Sequence, residues 1–361
     1  MLVPVPATAQ ALLPALAAAL DGGDAVLPVG PAPARVLAAL RPDAPLEPDV
    51  AVVVPTSGST GEPKGALLSA AALRASAQAT ATRLGGHGQW LLAIPPTHVG
   101  GLQVLVRSLL AGTVPAVLSG PFTPEAFAAV RLDGERRYVS LVPTQLRRLL
   151  DAGTDLTAYD AILLGAAAAP GDLLDRAAQA GARVVTTYGM SETCGGCVYD
   201  GVPLDGVSVG LADGLVRLAG PVLASGYRLR PDLTAAAFGP AGFTTTDLGA
   251  LHDGVLTVLG RADDVIVSGG EKVAPAAVEA ALLTHPAVAD AGVVGIHDDE
   301  WGQRVVACVV LRAPLSLAAA REHVAAGLPR TWAPRELREV TGVPLLPSGK
   351  IDRAGLRSGL L

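Results

Sequence analysis

Pro55-Thr56-Ser57-Gly58-Ser59-Thr60-Gly61-Glu62-Pro63-Lys64-Gly65 follows the apolar run Asp49-Val50-Ala51-Val52-Val53-Val54. The β-branched run reads as a buried strand. Four hydroxyl residues and three glycines then fall within eleven positions, with one lysine near the end. Glycines let the backbone turn tightly enough to aim several N–H groups at one point. The hydroxyls add donors, and Lys64 adds a mobile positive charge. Such a stretch suits an oligophosphate. A P-loop of the Gly-x-x-x-x-Gly-Lys-Ser/Thr type is excluded, because Lys64 stands between Pro63 and Gly65. A flexible Ser/Gly linker rarely carries a fixed Pro-Lys-Gly end.

Outward from this stretch, strand and helix patterns alternate. Before it come a helix over Ala9 to Leu20, a strand over Ala25 to Val29 and a helix over Pro33 to Leu40. After it, Ala66 to Leu68 reads as a short strand, and Ser69 caps a helix that runs to Leu84 and stops at Gly85-Gly86. Strands are predicted over Trp90 to Ile94, Val114 to Leu118, Tyr138 to Val142, Ala161 to Leu164 and Arg183 to Thr187. Helices are predicted over Leu102 to Leu110, Thr144 to Leu150 and Asp172 to Ala180. Short links between alternating elements mean a layered α/β domain. From about Val202 the pattern changes to short strands with turns at Gly214, Gly220, Gly226, Gly254 and Gly260. A compact tail from Asp263 onward reads as strands and two helices. The expected fold class is therefore α/β: a large N-terminal layered α/β domain over residues 1–262 and a small α+β C-terminal domain over 263–361.

Composition narrows the function. Of the 361 residues half are hydrophobic but only 3% are aromatic, so alanine, leucine and valine make the core. The net charge of −6, with no run of lysine or arginine, argues against nucleic acid as a partner. Three cysteines cannot form a disulfide framework and fit a reducing cytoplasm. Cys194-Gly195-Gly196-Cys197 has no second Cys or Cys/His pair at zinc spacing, which favours small residues on a pocket wall. Pro4, Pro6 and Pro14, and the lack of Lys or Arg before Arg35, argue against a secretory signal. No apolar run is long enough to span a bilayer.

The stretch from Ser57 to Gly65 resembles the phosphate loop of the AMP-forming adenylating enzymes, the superfamily of acyl-CoA synthetases, adenylation domains and luciferases. The resemblance implies that Thr56, Ser57, Gly58, Ser59, Thr60, Gly61 and Lys64 bind ATP. Tyr188-Gly189-Met190-Ser191-Glu192 is similar to the family's Tyr-Gly-x-Thr/Ser-Glu motif. It implies that Tyr188 stacks on adenine, that Gly189 and Ser191 meet nucleotide and acid, and that Glu192 holds Mg²⁺, a cation that prefers hard oxygen ligands. Gly165 to Pro170 resembles the stretch that lays backbone against adenine, although alanines replace a glycine. Gly165 and Ala166 would make that contact, or form an ordinary strand-to-helix turn.

Thr244-Thr245-Thr246-Asp247 resembles the Thr-Gly-Asp motif, with Thr246 in place of glycine, so Asp247 would accept from the ribose hydroxyls. Gly260-Arg261-Ala262-Asp263-Asp264 matches Gly-Arg-x-Asp-Asp. It makes Arg261 a nucleotide contact and Asp263 the hinge about which a mobile small domain swings. Ser268-Gly269-Gly270 stands where the family lines its CoA channel. Pro347-Ser348-Gly349-Lys350-Ile351-Asp352-Arg353 matches the tail motif whose lysine, Lys350, bridges carboxylate and α-phosphate. These matches run in the family's order over most of the chain. The superfamily usually has a longer segment before its phosphate loop, which implies a trimmed N-terminal subdomain.

The acyl pocket is expected from Pro95-Pro96-Thr97-His98-Val99-Gly100-Gly101-Leu102 and the helix after it. His98 lies at the pocket base or in the core. Arg107 sits in an otherwise uncharged helix, where it meets either a substrate anion or an internal Asp or Glu. His98, Arg107-Ser108 and the short N-terminus resemble the 2-succinylbenzoate–CoA ligases of menaquinone synthesis, whose substrate carries two carboxylates. The reading is an acid–thiol ligase using ATP, Mg²⁺ and coenzyme A through an acyl-adenylate. Another aryl- or acyl-CoA ligase, a carrier-loading adenylation enzyme and a catalytically dead nucleotide-binding regulator are the alternatives. A homodimer is left open.

Overall fold

The computed structural model describes residues 1–57, 63–345 and 351–360. Among them the chain forms four sheets. Strands Leu2–Pro6 and Ala25–Val29 pair in parallel, and Val26 pairs with Val52 in the same sense. Strands Val52–Ser57 and Pro63–Leu68 are antiparallel, in register from Val52 with Leu68 to Ser57 with Pro63. The phosphate-loop stretch is thus the link of a hairpin. Gly58, Ser59, Thr60 and Gly61 lie outside the described residues. The strand begins at Val52 rather than Asp49, because Asp49 takes a positive φ of 58°.

The second sheet orders Val202–Pro203, Gly195–Tyr199, Val184–Met190, Ala161–Leu164, Arg137–Leu141, Gln89–Leu92 and Ala116–Val117. Its central strands are parallel and read as continuous apolar runs because both faces are covered. Trp90, Leu92, Tyr138 and Leu163 pack on one side with Leu73 and Leu102, from helices Ala70–Leu84 and Val99–Ala111. Leu91, Val139, Leu141 and Ile162 pack on the other with Leu146 and Leu173, from helices Pro143–Asp151 and Gly171–Gln179. Ser69 caps the first of these helices, accepting from Ala72 N at 3.1 Å, and Gly85 ends it at φ 87°.

The third sheet, Ser208–Ala212, Leu215–Ala219, Gly242–His252 and Val255–Arg261 with the short Phe238–Gly239, is antiparallel. Gly214 and Gly254 turn its hairpins at φ near 80°. In the C-terminal sheet, strands Val288–Asp298 and Gly302–Leu311 alternate between two cores. Val293 and Ala307 face helices Pro275–Leu283 and Leu317–Ala325, while Val294 and Val306 face Leu356.

Three helices were not foreseen. Pro124–Ala129 and Pro231–Ala237 both begin at a proline, and Thr123 caps the first by accepting from Ala126 N at 3.1 Å. The tail carries a third helix, Arg353–Ser358, capped by Asp352. Gly269-Gly270 precedes the helix that starts at Pro275. It is the two-residue turn of a hairpin between Ile266–Ser268 and Glu271–Val273, at φ 60° and 84°. No helix among the described residues is long and apolar enough to cross a membrane.

Candidate active site

The hairpin, the second sheet and the third sheet meet at a group of polar side chains. Strand Val184–Met190 ends in a 3-10 turn, Ser191–Thr193, because Thr193 caps it: Met190 N donates to Thr193 Oγ1 at 2.9 Å. Thr193 Oγ1 also donates to Gly195 O at 2.7 Å. This turn holds Glu192 nearly buried, with Ser191 beside it partly exposed. Lys64 Nζ lies 3.5 Å from Glu192 Oε1, and Tyr227 OH donates to the same oxygen at 2.7 Å. Lys64 Nζ also sits 4.1 Å above the Tyr227 ring. Burial and the Glu192 carboxylate push the Tyr227 phenol far above its ordinary pKa, so it is a neutral donor.

Two residues before the end of strand Val184–Met190, Tyr188 OH donates to Asp247 Oδ2 at 2.7 Å. Asp247 and Arg261 are register partners on adjacent strands, and Arg261 Nη1 stands 3.7 Å from Asp247 Oδ1. Thr245 Oγ1 accepts from Asp247 N at 3.0 Å, fixing the carboxylate's backbone. Burial, aided by Asp247, raises the Tyr188 pKa strongly. Arg261 Nη2 donates to Asp263 Oδ2 at 2.7 Å in the 3-10 turn Ala262–Asp264, the junction with the C-terminal sheet.

Close approaches of neighbouring strands explain three of the glycines. A Cβ on Gly165 would lie 2.4 Å from Thr187 Oγ1, one on Gly189 2.1 Å from Gly195 O, and one on Gly65 2.5 Å from Val53 Cγ1. Ala166 takes φ 70° without being glycine, and Ala166, Ala167 and Ala168 are exposed beside the Tyr188 strand. A non-glycine residue held in the left-handed region is a strained feature.

His98 is the exposed N-terminal residue of helix Val99–Ala111. Val99, Gln103 and Arg107 share one face of that helix, four residues apart. A Cβ on Gly195 would lie 3.6 Å from Gln103 Cγ and 3.9 Å from Val99 Cγ2, so these side chains wall the strand beyond Glu192. Gln103 Nε2 donates to Cys194 O at 2.8 Å, while its Oε1 is buried without a partner. Arg107 is buried about one turn further on. It donates to Thr80 Oγ1 at 3.2 Å and Tyr199 OH at 3.5 Å, lies over the Trp90 ring, and leaves Nε unpartnered. No carboxylate pairs with it among the described residues. Burial pulls its pKa down.

Cys194 and Cys197 are free, buried thiols whose pKa values burial raises, Cys197 to about 12. Cys194 packs in the core with Leu73 and Leu102, and Cys197 in a second core with Val216 and Leu218. Among the described residues no group of three or more His, Cys, Asp or Glu could hold a metal ion. Glu192 still fits Mg²⁺, because that cation takes one or two carboxylates and completes its shell with phosphates and water. Among the described residues both contacts to the carboxylate engage Oε1, so Oε2 would be available to such a cation.

The AMP-binding enzyme family pattern matches residues 8–221, and its C-terminal domain pattern matches residues 277–350. The chain belongs to the AMP-binding enzyme family. A probable 2-succinylbenzoate–CoA ligase of Mycobacterium tuberculosis is 52% identical over 98% of this chain and 96% of its own length. A 2-succinylbenzoate–CoA ligase of Geobacillus kaustophilus is 35% identical over 95% of this chain and 76% of its own. Among solved structures, the O-succinylbenzoate coenzyme A synthetase of Bacillus subtilis in complex with AMP superposes with a TM-score of 0.73. It is 31% identical, over 86% of this chain and 70% of that one. The same enzyme with its acyl-adenylate intermediate covers 97% of this chain and 81% of that one, at 28% identity and TM-score 0.73.

The large N-terminal and small C-terminal domains expected of an AMP-binding enzyme are both present. Of the residues singled out from sequence, the structure gathers Lys64, Glu192 and Ser191 in one cluster and Tyr188, Asp247 and Arg261 in a second, the two joined through Gly189 and Met190 at the end of strand Val184–Met190. Gly269-Gly270 belongs to the C-terminal sheet, where Gly269 N donates to Trp301 O at 2.9 Å. Lys350 lies outside the described residues. Sequence reading missed Tyr227, Arg228, Gln103 and Thr193. The Gly226-Tyr227 pair was legible only as a turn glycine.

Proposed function

We propose that the chain is an ATP-dependent 2-succinylbenzoate–CoA ligase of menaquinone biosynthesis. The observation that carries this reading is Arg107. A buried guanidinium with no carboxylate partner among the described residues shares its helix face with Gln103 and Val99, which wall the strand beyond Glu192. Leaving such a charge uncompensated is costly unless a ligand supplies the anion. A dicarboxylate would offer one carboxylate to Arg107 and the other for activation. The sequence relatives named for this activity support the same choice.

In this reading a carboxylate oxygen attacks the α-phosphorus of ATP and pyrophosphate leaves. The CoA thiolate then attacks the acyl carbon and AMP leaves. Tyr188 offers its ring to adenine, and Ala166 the backbone edge beside it. Asp247, steadied by Tyr188 and Arg261, accepts from the ribose. Thr56, Ser57 and the loop residues Gly58, Ser59, Thr60 and Gly61 donate to the phosphates together with Lys64. Glu192 would hold Mg²⁺, which when bound neutralises phosphate charge. Ser191 and Gly189 border the reacting groups, and His98, the N-cap of the helix that carries Arg107, borders the acyl pocket. Lys350 cancels charge as two anions meet. The small domain begins at Asp263 and pivots there, withdrawing Lys350 and bringing in Gly269-Gly270 to line the thiol's approach.

A pyrophosphate-release screen over aromatic and aliphatic acids tests the assignment, with CoA or a carrier protein as acceptor. Fastest turnover with 2-succinylbenzoate and CoA is expected. Preference for a monocarboxylic acid, or for a carrier acceptor, would sink it.

A further inference from the structure

We infer that Tyr227 is a positioning residue for the Glu192 carboxylate, orienting it as a magnesium ligand. The inference rests on the reading of Glu192 proposed above and extends it to a side chain that neither that reading nor the motifs include.

Tyr227 is anchored before it touches the site. Its segment lies antiparallel to strand Pro63–Leu68, with a bridge between Ala66 and Tyr227. Leu67 N donates to Gly226 O at 3.0 Å, Ser225 N to Leu67 O at 3.0 Å and Arg228 N to Gly65 O at 2.8 Å. Tyr227 N donates to Thr234 Oγ1 at 2.9 Å, and the ring packs edge-on to Phe238. Arg228, next in the chain, is fully buried and donates to the carbonyls of Leu40, Arg41 and Ala44. The Tyr227 ring therefore has one place to go.

From that place its hydroxyl reaches Glu192 Oε1 at 2.7 Å, the shortest contact the carboxylate makes among the described residues. The Glu192 backbone is held separately, Ala224 N donating to Glu192 O at 2.8 Å. Rotation of the side chain is what remains to be fixed, and the phenol fixes it. Mg²⁺ demands near-ideal geometry, so a ligand free to rotate binds it less well. The face of the same ring lies 4.1 Å beneath Lys64 Nζ, which keeps the ammonium beside the carboxylate it would share with phosphate. A ring that merely filled the core would need neither contact.

The test is manganese binding to the full chain, read by the free-ion EPR signal, with and without a non-hydrolysable ATP analogue. Tyr227→Phe removes one oxygen and keeps the ring. It should weaken manganese affinity in the analogue complex by about 10–100-fold, the usual cost of losing an outer-shell partner, with a melting temperature close to the parent's. Thr234→Val frees the Tyr227 N–H without altering ring or hydroxyl and should give a smaller loss of the same sign. Parental manganese affinity in both variants would overturn the inference and leave the ligase reading standing. Failure of the analogue to raise manganese affinity in the parent chain would overturn both.

Discussion

Arg353 Nη2 stands 2.8 Å from both carboxylate oxygens of Glu279, and Arg353 Nη1 stands 3.6 Å from Asp264 Oδ2. Glu279 in turn accepts from Val293 N at 2.8 Å. These bonds tie the C-terminal helix to helix Pro275–Leu283, to strand Val288–Asp298 and to the turn after Arg261. Lys350 comes three residues before Arg353. The bridge between Leu345 and Ile351 pins the ends of its segment as well.

Arg353→Ala should therefore slow acyl-adenylate formation by about a hundredfold, the scale of an ångström's misplacement of a reacting group. Thioester formation from supplied acyl-adenylate should suffer much less. Pyrophosphate release and CoA-thioester formation, assayed separately, check this; equal losses would mean that the ion cluster only holds the small domain together.

Burial pushes the Glu279 carboxyl up from its usual 4.5 to about 7, against the pull of Arg353. Between those values the folded chain binds a proton that the unfolded chain releases, so stability falls as pH rises through the window. Glu279→Gln should flatten that slope. Thermal melts from pH 4.5 to 8 would read it, and parallel curves for parent and variant would place the titration elsewhere.

Lys350→Ala should abolish nearly all adenylate formation and largely spare the second half-reaction, because in the proposed function the lysine acts only while the two anions meet. Single-turnover measurements of each half-reaction decide the point. A shared loss would contradict a swing about Asp263.

Arg107→Ala should cut kcat/KM for the dicarboxylate by about thirtyfold or more, as expected for an ion pair of at least 2 kcal/mol in a buried site. A monocarboxylic benzoate should be nearly unaffected. If both acids decline together, the Thr80 and Tyr199 contacts are the residue's whole role.

Arg228→Ala should destabilise the N-terminal domain by about 3–5 kcal/mol, the cost of removing one member of a buried ion pair. The side chain is fully buried and pairs with Glu47 at 2.7 Å. Urea denaturation followed by tryptophan fluorescence measures it; a loss under 1 kcal/mol, the scale of an exposed pair, would count against this account.

The layered α/β class was legible because local signals and tertiary demands agreed. Helix Ala9–Leu20 and strands Ala25–Val29 and Ala161–Leu164 appear with the bounds their apolar patterns predict. Ser69 and Gly85 mark one helix by capping chemistry that needs no distant partner. Boundaries failed where a neighbour decided them. Strand Pro63–Leu68 is longer than its apolar residues because its partner hairpin strand extends to Ser57. Helix Pro231–Ala237 has no fully buried residue to announce it.

The site divides in the same way. Lys64, Tyr188, Glu192 and Asp247 could be singled out from motifs, since each motif is a short run whose residue types suit the chemistry. Their companions could not. Tyr227 reaches Glu192 across 35 positions, Arg228 reaches Glu47 across 181, and Glu279 meets Arg353 across 74. Residue order carries the reacting groups and the local turns that present them, because those depend on neighbours along the chain. Which side chain steadies which charge was settled only by packing, because a buried carboxylate takes whatever donor the folded backbone brings within hydrogen-bond reach.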